Sequence, residues 1–140
     1  MTTTTSKKSF KHFGVHLTLD GYQASEHKLN DVRLVFKILD DLPGILGMRK
    51  IITPYVIPCE SNDKKDPGGV SGFVIIAESH ISIHTFAARR FVSIDVYTCQ
   101  DTLDTKKAIE YLKKALDIQQ TEVNVIKRGL KFGKLAGLPR

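Results

Sequence analysis

Three β-strand patterns follow one another in residues 72–99, which read GFVIIAESHISIHTFAARRFVSIDVYTC. The first pattern is an apolar run over 72–77, and the other two alternate apolar with polar residues over 81–86 and 91–99. β-Branched and aromatic residues in such patterns are typical of strands in a sheet that buries one face. The four residues 87–90 separate the last two patterns and predict a β-hairpin.

The sequence before this stretch predicts a strand followed by a helix. Apolar and polar residues alternate over 15–20 and indicate a half-buried strand that ends near Gly21. Apolar residues at helical spacing over 29–39 then predict a helix. Asn30 or Ser25 is the expected N-cap, and Pro43-Gly44 is expected to stop the helix.

The remaining segments predict two more strands and a second helix. Residues 51–57 have strand composition but are interrupted by Pro54, which suggests an edge strand or a bend. Residues 60–69 are rich in turn-forming types and predict an exposed loop. Thr105 is the expected cap of a helix with an apolar stripe, and residues 121–126 predict the last strand.

This order of elements predicts the fold class. Strands and helices that alternate in this way favour an α+β two-layer sandwich, with a mostly antiparallel sheet and both helices on one face. A chain of 140 residues is expected to form a single domain over 1–140. The second face of strand 91–99 carries Phe91 and Tyr97 beside polar residues. We therefore expect the sheets of two copies to pack together in a homodimer.

Composition narrows the function classes. The chain is 41% hydrophobic and 26% charged, with no apolar run long enough to cross a membrane and no apolar segment behind its N-terminal charges. We therefore expect neither a membrane protein nor a secreted one. The net charge of +6 is spread along the chain, and its densest group, residues 127–134, has no nucleic-acid-binding motif and is interpreted as a solvated tail. Cys59 and Cys99 need no disulfide, which fits the cytoplasm.

The motif within the strands carries the functional signal. Glu78-Ser79-His80 lies between Gly69-Val-Ser-Gly72 and Asp95-Val-Tyr-Thr-Cys99. With this spacing the sequence resembles the prokaryotic S-adenosylmethionine decarboxylase proenzymes, a family of pyruvoyl-dependent decarboxylases. The resemblance extends from the first strand to about Cys99.

The resemblance implies that the chain cuts itself between Glu78 and Ser79. The products would be a β chain of residues 1–78 and an α chain of residues 79–140, and Ser79 would become a pyruvoyl group. In the family this group forms a Schiff base with an amine-bearing small-molecule substrate and replaces pyridoxal phosphate. No metal is implied. The family's dimers have an active site at each end of the interface.

The resemblance also assigns roles to individual residues. His84 would be the base of processing, and Ser71 would be the hydrogen-bond donor that holds the oxyanion during the acyl shift. Cys99 would protonate the substrate after carbon dioxide leaves, as a thiol with a pKa of about 8.5 is suited to do. Phe86 would bind the substrate.

The resemblance is incomplete at the substrate pocket. Lys65 stands where the family usually has an aromatic residue, and Phe86-Ala87-Ala88 stands where it has Trp-Pro-Glu. One stacking surface, Phe86, is kept, whereas the other and a ribose-binding carboxylate are lost. S-adenosylmethionine is therefore the expected substrate, with arginine or ornithine as the alternative, and each places the enzyme in polyamine biosynthesis. Lys65 and Arg89 are interpreted as exposed loop charges, with membership of a changed pocket as the alternative.

The same residues fit three other functional interpretations less well. A non-catalytic paralogue that activates a partner is opposed by the intact set of Ser71, Ser79, His84 and Cys99. His80 and His84 would lie about 13 Å apart on a strand, too far for one metal ion. A hydrolase using Ser79, His84 and Asp95 lacks the Gly-x-Ser-x-Gly elbow. Four further polar residues are interpreted as structural: His16, His80, Ser82 and Cys59.

Overall fold

The structure is a computed structural model that describes residues 12–62 and 67–135. Within these described residues, seven strands form one sheet, in which all strand pairs are antiparallel. The order across the sheet is β2-β4-β5-β6-β1-β7, and β3 also pairs with β4. The strands are β1 (Gly14–Tyr22), β2 (Arg49–Lys50), β3 (Tyr55–Cys59), β4 (Gly69–Ala77), β5 (Ser79–Phe86), β6 (Phe91–Thr98) and β7 (Gln120–Arg128).

Two long helices cover one face of this sheet. The helices are α1 (Glu26–Leu29), α2 (Val32–Ile45), α3 (Thr105–Leu116) and α4 (Phe132–Leu135). Buried residues of α2 and α3 share one core with every second residue of the central strands. On β6 these residues are Val92, Ile94, Val96 and Thr98, all buried, as the alternating pattern predicts. The expected α+β class with an antiparallel sheet is confirmed.

The structure corrects the start and the end of the first long helix. Ser25 caps only the short α1, and Asn30 follows α1 instead of capping α2. The cap of α2 is Asp31, whose carboxylate accepts a hydrogen bond from the amide of Leu34 at 3.0 Å. Pro43 does not stop α2 but lies inside its last turn. A proline removes only its own amide donor, and the Leu42 carbonyl still accepts a hydrogen bond from the amide of Leu46.

Two other boundaries differ from the predictions. Thr105 is the first residue of α3, and Asp104 is its cap, accepting from the amide of Lys107 at 3.0 Å. Only the second part of the predicted strand over 51–57 is a strand, within β3, because the chain bends after β2 and residues 51–54 up to Pro54 belong to no strand. The described part of the 60–69 loop has no regular structure before Gly69, whereas Lys65 lies outside the described residues.

Two hairpins place the motif residues. The β5–β6 hairpin is confirmed, with a 3₁₀ turn at Ala87–Arg89 between its strands. In the β4–β5 hairpin Ile76 pairs with Ser79, so Ala77 and Glu78 form a two-residue turn. No helix within residues 12–62 and 67–135 is long and apolar enough to span a membrane.

Candidate active site

The candidate site lies on the sheet face opposite α2 and α3, which we call the open face. Burial alternates along the strands, so every second side chain lies on the open face and the others lie in the core. The apolar side chains Tyr55, Phe73 and Ile75 are 59%, 39% and 39% exposed. Polar groups stand beside them, so the open face combines uncovered apolar surface with the motif residues. Its residues on β5 and β6 are His80, Ser82, His84, Phe86, Phe91, Ser93, Asp95 and Tyr97.

The first cluster lies at the β4–β5 turn and surrounds the peptide bond between Glu78 and Ser79. Cys99 follows β6, and its thiol donates a hydrogen bond to the Glu78 carboxylate at 2.7 Å. The main-chain N–H of Cys99 donates to the Glu78 carbonyl oxygen at 3.3 Å. Ser79 has a φ of 126°, in a region that favours glycine and costs a non-glycine residue on the order of 1–3 kcal/mol. The turn therefore presents a strained residue next to a hydrogen-bonded carbonyl.

The environment of Cys99 also affects its protonation. Partial burial raises the pKa of the Cys99 thiol above its ordinary value, and the hydrogen bond to the Glu78 carboxylate raises this pKa further. A thiol with a raised pKa keeps its proton at neutral pH. The arrangement thus favours a proton donor over a thiolate nucleophile.

The second cluster joins Ser71 and His84. These residues stand directly opposite each other on β4 and β5. The Ser71 hydroxyl lies 2.9 Å from His84 Nδ1. Both line a cavity of about 340 Å³ whose walls include Tyr55, Ile57 and Phe73. An imidazole held by a hydroxyl at the edge of an apolar cavity can accept or deliver a proton to a molecule bound there.

The structure does not bring the two clusters together within one chain. Ser79 and His84 are five residues apart on the extended strand β5, which corresponds to about 16 Å. Direct proton transfer needs a separation of about 3 Å, or one bridging water. Within one chain, the same separation also excludes the alternative triad of Ser79, His84 and Asp95. No group of three or more metal-binding side chains occurs in the part of the chain that the structure describes.

Between the two clusters, Asp95 belongs to a different network. His16 Nε2 lies 2.8 Å from the Asp95 carboxylate, and Arg128 donates to His16 Nδ1 at 3.0 Å. The Arg128 guanidinium also lies 4.9 Å from the centre of the Tyr97 ring. The prediction of a solvated tail over 127–134 is therefore wrong at Arg128, which ends β7 on the open face. The composition of residues 127–134 alone did not reveal this contact.

Phe86 lies beyond the second cluster, at the end of β5. Its ring centre is 5.4 Å from that of Phe91, and Phe91 is 5.2 Å from Tyr22. These three rings and Arg89 line a cavity of about 680 Å³. The sequence pattern identified Phe86 but not Tyr22 or Phe91, because the latter two meet it only through strand pairing. The sequence pattern also did not identify the main-chain N–H of Cys99. Every residue but proline has such a group, so nothing in the sequence distinguishes this one.

Comparison with known proteins identifies the family. The family model for S-adenosylmethionine decarboxylase matches residues 15–129, which include both clusters. The chain belongs to the S-adenosylmethionine decarboxylase family. This membership confirms the resemblance seen in the motif, and the match extends past Cys99 through β7.

Individual relatives agree with this membership. The S-adenosylmethionine decarboxylase proenzyme of Symbiobacterium thermophilum is 32% identical over 121 residues, which are 86% of each chain. The proenzyme of Thermococcus onnurineus is 48% identical over 68 residues, covering 49% of this chain and 48% of that one. The crystal structure of the adenosylmethionine decarboxylase from Aquifex aeolicus superposes with a TM-score of 0.73 at 28% identity, covering 85% of this chain and 92% of that one.

Proposed function

We propose that this protein is a self-processing proenzyme that cuts itself between Glu78 and Ser79 and then decarboxylates S-adenosylmethionine with a pyruvoyl group made from Ser79. The observation that carries the proposal is the geometry of the turn. The Glu78 carbonyl accepts a hydrogen bond from the Cys99 main chain, and the Cys99 thiol lies beside the same bond. The relatives named as proenzymes support it.

Processing would begin with attack by the Ser79 hydroxyl on the Glu78 carbonyl carbon. The carbonyl oxygen becomes an oxyanion, which the Cys99 N–H is placed to stabilise. Collapse of this intermediate breaks the peptide C–N bond and leaves Glu78 and Ser79 joined by an ester. Removal of the Ser79 α-proton then expels Glu78 as a free carboxylate and leaves dehydroalanine. Tautomerisation and hydrolysis release ammonia and leave the pyruvoyl group at residue 79.

His84 is the proposed base for removal of the α-proton, with Ser71 holding its ring. Because His84 and Ser79 of one chain lie about 16 Å apart, this role requires the His84 of a second copy. A two-fold axis running across the strands between Ile81 and Ser82 would reverse the partner's strands. The partner's His84 would then face Ser79, and the reciprocal site would form at the other end of the sheet.

The open face is suited to such a homodimer. Apolar side chains on it are exposed in the single chain, including Tyr55, Phe73 and Ile75. Exposed apolar surface of this kind commonly marks a protein interface. Packing two open faces together would bury these side chains and would form two composite sites, each with Ser79 and Cys99 from one chain and Ser71 and His84 from its partner.

The mature enzyme would use the same residues in new roles. When present, the pyruvoyl group supplies an electron-withdrawing carbonyl that binds the substrate amine and stabilises the charge left as carbon dioxide departs. Cys99 is placed next to residue 79, and its raised pKa keeps the proton that the substrate carbon must receive. This role needs a free thiol, so we propose that the protein acts in the reducing cytoplasm.

Mass spectrometry of the intact purified protein tests the proposal. We expect the full-length chain to be replaced by fragments of residues 1–78 and 79–140, the second beginning with a pyruvoyl group. Ser79→Ala is the control and should remain whole. Release of carbon dioxide from S-adenosylmethionine by the processed protein completes the test. A full-length mass that persists through prolonged incubation would refute the proposal.

A further inference from the structure

The side chain of Glu78 makes a contact that the proposed self-cleavage does not use. Its carboxylate accepts the hydrogen bond of the Cys99 thiol at 2.7 Å. Glu78 is exposed and Cys99 is half-buried, so the pair lies where the β4–β5 turn meets solvent. Cleavage involves only the main-chain carbonyl of Glu78, because the Ser79 hydroxyl attacks that carbon. The side-chain carboxylate therefore remains available for a role in the mature enzyme.

The strand before the cut would hold Glu78 beside Cys99 after cleavage. Ala77, the last residue of β4, pairs with Arg49 of β2, and β4 pairs with β5 along its other edge. The Glu78 carbonyl that accepts from the Cys99 main-chain N–H would become part of the new terminal carboxylate. An acceptor for this N–H is thus kept when the peptide bond is broken.

We propose that Glu78 is a positioning residue for decarboxylation, which stays beside Cys99 after cleavage, holds its thiol in place and drives the return of a proton to it after each turnover. The inference rests on the proposed function, in which Cys99 is the proton donor. Decarboxylation consumes one proton for each carbon dioxide released, so the donor must be refilled from solvent. Once Cys99 has given its proton to the substrate carbon, its thiolate and the Glu78 carboxylate are two negative charges in contact. Their repulsion favours uptake of a solvent proton by the sulfur, which restores the S–H bond.

The surroundings of the thiol agree with this role. Partial burial raises the pKa of Cys99, and the hydrogen bond and the negative charge of Glu78 raise this pKa further. The other titratable or charged side chains at this end of the sheet are His12, His80, Tyr97, Asp101 and Arg128. His12 Nε2 lies 3.0 Å from the Asp101 carbonyl oxygen, and the His80 ring lies against Tyr97. The carboxylate in contact with the sulfur is that of Glu78.

Titration of the Cys99 thiol tests the inference without turnover. The protein is the full-length chain with Ser79→Ala and Cys59→Ala, so that Cys99 is the one cysteine of an uncleaved chain. The rate of alkylation by iodoacetamide is measured against pH, because the thiolate is the reacting form. Glu78→Gln removes the negative charge and should move the inflection of this profile to lower pH. Glu110→Gln makes the same change at an exposed position of α3, on the opposite side of the sheet, and should leave the inflection unchanged.

The same substitutions in the processed enzyme test the role in turnover. Glu78→Gln keeps the main-chain carbonyl and should still cut itself. Its release of carbon dioxide should decline at a lower pH than that of the wild type, on the alkaline side of the profile, and its thiol profile should show the same shift. Glu78→Asp keeps the charge and should move both profiles less than Glu78→Gln does.

The possible results separate this inference from the proposed function. A Cys99 profile that Glu78→Gln leaves unchanged would overturn the role of Glu78, and so would a shift that is present in the uncleaved chain but absent from the processed enzyme. Failure of Glu78→Gln to cut itself would show that the carboxylate acts in processing and would also overturn it. If the wild-type chain does not cut itself while Glu78→Gln still shifts the Cys99 profile, the proposed function fails but the control of Cys99 by Glu78 stands.

Discussion

Because Ser79 and His84 of one chain lie far apart, we predict that processing combines these residues from two chains, which mixed dimers can test. One chain carries Ser79→Ala and keeps His84, and the other carries His84→Ala and keeps Ser79. Neither variant should cut itself when it is expressed alone. About 16 Å separates the two positions within a chain, far beyond the roughly 3 Å at which a proton is transferred directly. In a mixed dimer, however, one of the two sites would combine both intact residues.

The expected yield follows from the symmetry. Random pairing of equal amounts makes about half of the dimers mixed, and only the His84→Ala chain of each mixed dimer can be cut. About a quarter of all chains should therefore be processed. Co-expression with tags of different mass, purification of the doubly tagged dimers and intact-mass spectrometry would show which chain is cut.

The control places both substitutions in one chain. A dimer of the wild-type chain with a Ser79→Ala/His84→Ala chain contains no intact composite site, so its wild-type chain should stay whole. If His84 acted within its own chain, the outcome would be reversed: this wild-type chain would be cut, and the first mixed dimer would not. That reversal would refute the shared site.

Further predictions concern single residues. His84→Ala should halt processing at the ester, so hydroxylamine should cleave the halted chain at residue 78; resistance to hydroxylamine would contradict the role of His84 after the acyl shift. Cys99→Ala keeps the main-chain N–H and should still process, but carbon dioxide release with correct protonation should fall by about 10² or more; wild-type turnover would exclude Cys99 as the donor. Burial raises the pKa of the Asp20 carboxyl, and repulsion by Glu122 and Asp95 raises this pKa further. The stability of the folded protein is therefore highest where Asp20 is protonated, and it falls as the pH rises through the raised pKa. Asp20→Asn should therefore raise the melting temperature at pH 7, with the gain vanishing below about pH 4, and an equal gain at both pH values would contradict the electrostatic cause. Asp31→Ala should lower the free energy of unfolding by about 1 kcal/mol through loss of the α2 cap, measured by urea denaturation against Asn30→Ala as the control.

Local patterns in the sequence were sufficient for most of the fold. Alternation with period two identified β1, β5 and β6, and its buried set on β6 agrees with the structure residue by residue. Helical spacing identified α2 and α3. The caps were less accessible to sequence, because Ser25, Asn30 and Asp31 are all good N-cap types within a few residues, and only the backbone geometry selects among them.

The site shows the same division between local and tertiary information. Motif spacing identified Ser79, His84 and Cys99 as candidates, and all three lie within the residues that the family model matches. Strand pairing determined that Ser71 meets His84 and that Cys99 meets Glu78, since a contact between strands depends on register and not on distance along the chain. Tyr22, Phe91 and Arg128 acquired their contacts in the same way, across residues widely separated in sequence. Ser79 and His84 lie far apart because the chain rises by about 3.3 Å per residue along β5. Their closeness in the sequence does not show this separation until residues 79–84 are known to form one extended strand.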